Sequence, residues 1–212
     1  FQSAEDAESN EDMDLVGSSL EFRGLDWEDM CDKFAENGLN RLEIEIGPEA
    51  LNYVKEGPEG FDLVRKNRAQ AEDKGLSIEI VSVEDDIFQT EREPDEIVDD
   101  LKRYIEMTAD FGARLLRIRP EKEGTHGADA SGYLKRSIIT AISSLEDHAK
   151  REGVRIAIEN SKYLPSTVRD CEAILLGTDP DWVGISLNPA NLQSANIDPD
   201  EAVRRLRDRI FH

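Results

Sequence analysis

From Leu15 onward, short runs of aliphatic and β-branched residues alternate with longer stretches whose apolar positions recur at helical spacing. The pattern predicts strands over residues 15–20, 39–47, 76–83, 113–120, 154–160 and 182–187. Between them it predicts helices. The first follows Asp26 as N-cap, repeats Met30, Phe34 and Ala35 on one face, and stops at Gly38. The next runs over 61–74 and ends at Gly75. A third starts at about residue 95, just after Pro94, and runs to 111, ahead of Gly112. A long helix covers 132–153, closed by Gly153, and another runs from Ser166 or Thr167 to about 176, ahead of Gly177. The last, over 198–209, opens with Asp198 as cap and Pro199 in the first helical position. Residues 210–212 then begin a seventh strand.

Strand, helix, glycine, strand, repeated along the chain, implies parallel strands joined by right-handed crossovers. Such a sheet is either doubly wound or closed. Neither G-x-G-x-x-G nor G-x-x-x-x-G-K-[ST] occurs, so no nucleotide cofactor is expected and the closed form is favoured. The fold expected is an α/β (β/α)8 barrel of the TIM type, with six to seven βα units over residues 14–212. The acidic lead, residues 1–13, reads as disordered.

Charge narrows the partners. With 47 acidic against 26 basic side chains, 17 of the latter Arg, the formal net charge is −21. Such a surface repels nucleic acid and anionic membranes. Its even spread along the chain points to adaptation to high salt more than to a docking face for a basic partner. No apolar run approaches the length of a membrane span, and the first residues are acidic where a secretory signal would be basic and then apolar. A cytoplasmic protein is the expectation. Cys31 and Cys171 form no C-x-x-C pair, so a disulfide framework or zinc knuckle is not expected.

In a (β/α)8 barrel, chemistry sits at the carboxyl ends of the strands. Here those ends offer Glu43 and Glu45, Glu84 to Asp86, Arg119, Glu159 with Asn160, and Asn188. Glu159 stands out because it closes the apolar run RIAI, where an unpaired carboxylate would be costly without a metal, an arginine or a substrate. Arg119 could hold a substrate phosphate or carboxylate, or pair with Glu159 or Glu121. His126, in the loop after the fourth strand, and Lys162, after the fifth, are candidate substrate contacts, with plain solvent exposure as the competing reading for each. His148, within the long helix, reads as surface.

The segments NGLNRLEIE, GVRIAIENS and VGISLNPANL, in that order, resemble the xylose isomerase-like barrel superfamily of sugar phosphate isomerases and epimerases. The resemblance implies a small carbohydrate or sugar phosphate as substrate. It also implies one divalent cation, Mn, Mg, Co or Zn, held by Glu, Asp, His and Glu from strands five to eight. On that pattern Glu159 is a metal ligand and the acid/base residue, and Glu43 is the interior carboxylate of strand two. Asn188 stands where the metal-binding aspartate belongs, and Asn191 falls on the Asn or His three residues later; Asn160 and Asn191 become substrate contacts. The family histidine would fall just beyond His212. An open sheet edge then implies truncation, a homo-oligomer, or a second chain completing the barrel. A neutral amide at 188 holds a hard cation only weakly. This leaves two readings: a metal-assisted isomerase or epimerase transferring a proton or hydride, and a metal-less relative that binds a sugar or serves as a partner subunit. A third, an endonuclease IV-like DNA-repair enzyme, is opposed by the charge and by a count of only three histidines.

Overall fold

Six parallel strands pair in chain order, β1 to β6, each with the next. The computed structural model describes residues 15–22, 24–47, 58–83, 87–88, 92–120, 130–161 and 164–212. The strands are β1 (Gly17–Ser18), β2 (Arg41–Ile46), β3 (Ser77–Val83), β4 (Leu115–Ile118), β5 (Arg155–Glu159) and β6 (Val183–Ser186). The helices are α1 (Trp27–Glu36), α2 (Pro58–Asp73), α3 (Pro94–Asp110), α4 (Ala130–Glu152), α5 (Val168–Leu175), α6 (Pro189–Ser194) and α7 (Pro199–Leu206). A doubly wound sheet reverses its strand order at a switch point, whereas here the order never reverses. The architecture is that of a partial (β/α)8 barrel.

The ends of the elements follow local chemistry. Asp26, Thr167 and Asp198 cap α1, α5 and α7, each accepting a hydrogen bond from a backbone N–H in the first turn, and Pro199 fills the first position of α7. At the far end of the chain the expected seventh strand begins. Ile210 bridges Ile185 in parallel, the Phe211 N–H donates to the Ile185 carbonyl at 2.9 Å, and the Leu187 N–H donates to the His212 carbonyl at 2.7 Å. Gly184 permits this approach: a Cβ there would lie 2.7 Å from the Arg209 carbonyl oxygen and 2.6 Å from the Phe211 ring.

Strand alternation divides the apolar residues into two sets. Leu42, Ile44, Val81, Leu116, Ile118, Ile156, Ile158, Val183 and Ile185 join the main core with the helices. Ile80, Leu115 and Ala157 form a separate cluster with Val16 and Phe211 packed against it. This second cluster is the apolar floor of the barrel interior. Polar side chains lie further along the same strand faces.

Three expectations change in detail. The first strand is only Gly17–Ser18, because the chain turns at once into a 3-10 segment, Ser19–Phe22, whose Ser19 hydroxyl accepts the Glu45 N–H at 2.8 Å. Helix α2 starts at Pro58, a favourable first position, and not at residue 61. Helix α6 was not expected at all: Asn-Pro reads as the end of a strand, and six residues are too few for an apolar period to register.

Both cysteines are buried and free. Burial pushes the Cys31 thiol up to about 11 and the Cys171 thiol up to about 12. Among the described residues, no helix is long and apolar enough to cross a membrane.

Candidate functional site

The carboxyl half of the inner face is organised around Arg117, in the middle of β4. Alternation puts Arg117 on the same side of the strand as Leu115, one step beyond the apolar floor. Ser82 and Glu159 take the corresponding places on β3 and β5. Arg117 Nε donates to Ser82 Oγ at 2.8 Å and lies 2.8 Å from Glu43 Oε1. Its Nη1 donates to Glu159 Oε2, also at 2.8 Å. The Ser82 hydroxyl donates to Glu43 Oε1, closing the set. These groups sit deep: the Arg117 side chain is 15% exposed and those of Glu43 and Glu159 are 9% and 5%. Two carboxylates removed from water are thus held by one guanidinium, the arrangement that makes such burial tolerable.

Beside this cluster, an amide network fixes the turn from β6 into α6. Asn188 Nδ2 donates to Glu159 Oε1 at 3.1 Å. Its Oδ1 accepts the N–H groups of Ala190 and Asn191 at 3.1 and 3.4 Å, capping α6. Asn160 is fully buried; its Oδ1 accepts the Asn188 N–H at 2.6 Å, and its Nδ2 donates to the Asn188 carbonyl at 3.0 Å. Asn191 Nδ2 donates to the Asn160 carbonyl at 2.9 Å. At the end of β6, Ser186 Oγ lies 3.1 Å from His212 Nδ1. The result is a polar mouth able to hydrogen-bond neutral hydroxyls while keeping its charges fixed.

Of the residues singled out from the sequence, Glu43, Glu159 and Asn188 come together here. Asn160 and Asn191 are adjacent but serve the turn: both side-chain ends of Asn160 are engaged by the Asn188 backbone. Glu159 pairs with Arg117, two positions before Arg119, which is half-buried just after β4. Both Glu43 and Glu45 are buried, at 7% and 2% exposed, although the resemblance marked only Glu43 as interior. His126, Lys162 and Glu84 to Asp86 lie outside the described residues. His148 is half-buried on α4, with Nε2 3.4 Å from Glu106 Oε1. Sequence reasoning missed Arg117, Ser82 and Ser186. A signal for Arg117 existed, because a cation inside the run LLRI calls for the same explanation that singled out Glu159.

The donor set does not suit the divalent cation that the resemblance implies. Both Glu159 oxygens are engaged, one by a guanidinium, and the Asn188 oxygen is used as a helix cap. Among the described residues, no three His, Cys, Asp or Glu side chains cluster in a way that could hold a metal.

Comparisons with known proteins agree with this architecture. The structure is similar to the probable 3-DHS dehydratase AsbF from Bacillus anthracis, with 18% identity, a TM-score of 0.75, and coverage of 94% of this chain and 72% of the other. It is similar to the 3-keto-D-glucoside 4-epimerase YcjR from E. coli, with 15% identity, a TM-score of 0.73, and coverage of 93% and 76%. It is also similar to the IolI protein solved with a zinc atom, with 16% identity, a TM-score of 0.74, and coverage of 94% and 71%. No curated protein sequence matches. The family model described as xylose isomerase-like TIM barrel matches residues 24–212, and the chain belongs to that family.

Proposed function

We propose that the chain is an isomerase- or epimerase-type barrel acting on a small carbohydrate or sugar phosphate, with its site at the mouth formed by β2, β4, β5 and β6. The observation that carries this reading is the convergence of Glu43 and Arg117, from within β2 and β4, on Glu159 and Asn188 at the carboxyl ends of β5 and β6, the end of such barrels that bears the chemistry. The neighbours named as a 3-keto-D-glucoside 4-epimerase and a D-psicose 3-epimerase support a sugar as substrate.

Glu159 acts as the base. Its carboxylate takes the proton from the carbon next to the substrate carbonyl, and the electron pair moves onto the carbonyl oxygen to give an enediolate. Arg117, 2.8 Å from Glu159, faces the developing negative charge. After its proton has exchanged with solvent, Glu159 protonates the former carbonyl carbon while the hydroxyl proton passes from one enediolate oxygen to the other, which gives isomerisation; a solvent-derived proton delivered to the original carbon from the opposite face gives epimerisation. Glu43, the Asn188–Asn191 turn and the loop residues His126 and Lys162 would contact substrate hydroxyls or a phosphate, with Arg119 at the rim.

Exchange in heavy water tests this. Aldoses, ketoses and their phosphates are incubated with the protein and followed by NMR. Deuterium is expected at the carbon beside the carbonyl of the true substrate, with Glu159→Gln slowing its entry by about 10²–10⁴-fold. Absence of both binding and exchange across the panel would sink the proposal. Binding without exchange would favour the second reading, a non-catalytic sugar-binding barrel or partner subunit. That reading has its own support in Asn188, a neutral amide spent on Glu159 and on capping α6.

A further inference from the structure

We infer that Arg117 is the resident cation of the barrel mouth: its guanidinium takes the place of a divalent ion, and its remaining Nη2 edge receives the substrate oxygen that a metal would otherwise hold. The inference deepens the carbohydrate reading and rests on it for the identity of that oxygen; the claim about the cation stands on geometry alone.

An arginine side chain remains protonated throughout the working pH range, so the charge between Glu43 and Glu159 is permanent. Arg117 spends Nε on Glu43 and Ser82 and Nη1 on Glu159, and among the described residues Nη2 has no partner. A planar fork with two donors engaged by carboxylates holds the third donor in a set direction, which suits a carbonyl or enediolate oxygen. A divalent ion on Glu159 would have to displace either this guanidinium or the Asn188 amide. The first exchange takes from the guanidinium one of its two buried carboxylates and sets a divalent ion beside it, and the second strips the amide from Glu159 while its oxygen still caps α6. The electrostatic work usually assigned to a bound ion is therefore built into β4.

The test loads the wild-type chain, Glu159→Gln and Asn188→Asp with excess Mn²⁺ or Zn²⁺, removes unbound ion by gel filtration, and counts metal by mass spectrometry. Neither the wild type nor Asn188→Asp is expected to retain a stoichiometric ion, although the latter restores the carboxylate that the resemblance calls for. One ion per chain in the wild type that Glu159→Gln abolishes overturns the inference, as does one gained by Asn188→Asp. Metal held equally by the wild type and Glu159→Gln lies on the acidic surface and leaves Arg117 as the resident cation. Should Glu159→Gln fail to fold, the Asn188→Asp arm still decides. Once a sugar is found, EDTA is expected to leave its binding unchanged and Arg117→Lys to weaken it about tenfold; loss of binding on EDTA treatment overturns the inference. Failure of every sugar to bind sinks the carbohydrate reading alone, because the metal count needs no substrate.

Discussion

Glu159 and Arg117 show how a single residue can be legible or hidden. Glu159 ends its strand, so the sequence presents a carboxylate after an apolar run and the question of its partner follows at once. Arg117 sits inside its strand, two positions before a second arginine, and the apolar run that extends to residue 120 makes Arg119 look like the strand-end cation. Period-two alternation puts both arginines on one face, and Arg117 is the one seen to bridge Glu43 and Glu159. Replacing Arg117 by Met strands two buried carboxylates. The expected loss of stability is about 3–5 kcal/mol, read from urea unfolding midpoints. A loss below about 1 kcal/mol would show that water or another cation already compensates these carboxylates.

At the scale of elements, the glycine-closed helices and apolar strands were readable because each carries its own period and stop signal. Helix α6 was not readable, since what defines it lies outside its sequence: the two ends of the Asn160 side chain grip the Asn188 backbone from the neighbouring strand. Residues 207–212 depend likewise on a neighbour. Arg209 donates to the Val183 carbonyl from Nε and Nη2, at 3.1 and 2.8 Å, and Gly184 leaves room for the chain to lie against β6. Gly184→Ala is expected to cost about 1–3 kcal/mol, because backbone at Arg209 is in the way and cannot swing aside like a side chain. Hydrogen exchange should locate the damage, with loss of protection at the Phe211 and Leu187 amides while β4 and β5 keep theirs. Uniform loss across the sheet would contradict a local role for Gly184.

For the whole molecule, charge is the dominant fact. The ion pairs with both partners well exposed, such as Lys33 with Glu36 and Arg205 with Glu172, each contribute little. A net −21 opposes the compact state as a sum. Screening shortens the range of that repulsion from about 10 Å at 0.1 M to about 3 Å at 1 M salt. The melting temperature is therefore expected to rise on moving from 0.1 M to 2 M KCl. A flat or falling melting temperature would mean that specific ion pairs outweigh the general field. Fold class was readable at this scale because strand order in such a barrel follows chain order, whereas the pairing of charges across the mouth depends on four strands at once and no local pattern encodes it.

The register of β2 against β3 shifts once: Leu42 faces Ile78 while the next residue, Glu43, faces Ile80. Glu79 is thus a supernumerary residue in its strand, and the outward-inward order of Ile78 and Ile80 already counts as if it were absent. A chain lacking Glu79 keeps Ser82 turned toward Arg117, while loss of Val81 reverses the side on which Ile80 and the residues before it project relative to Ser82. Length variation among relatives should therefore be forgiven at this one place in β3 and punished at its neighbours.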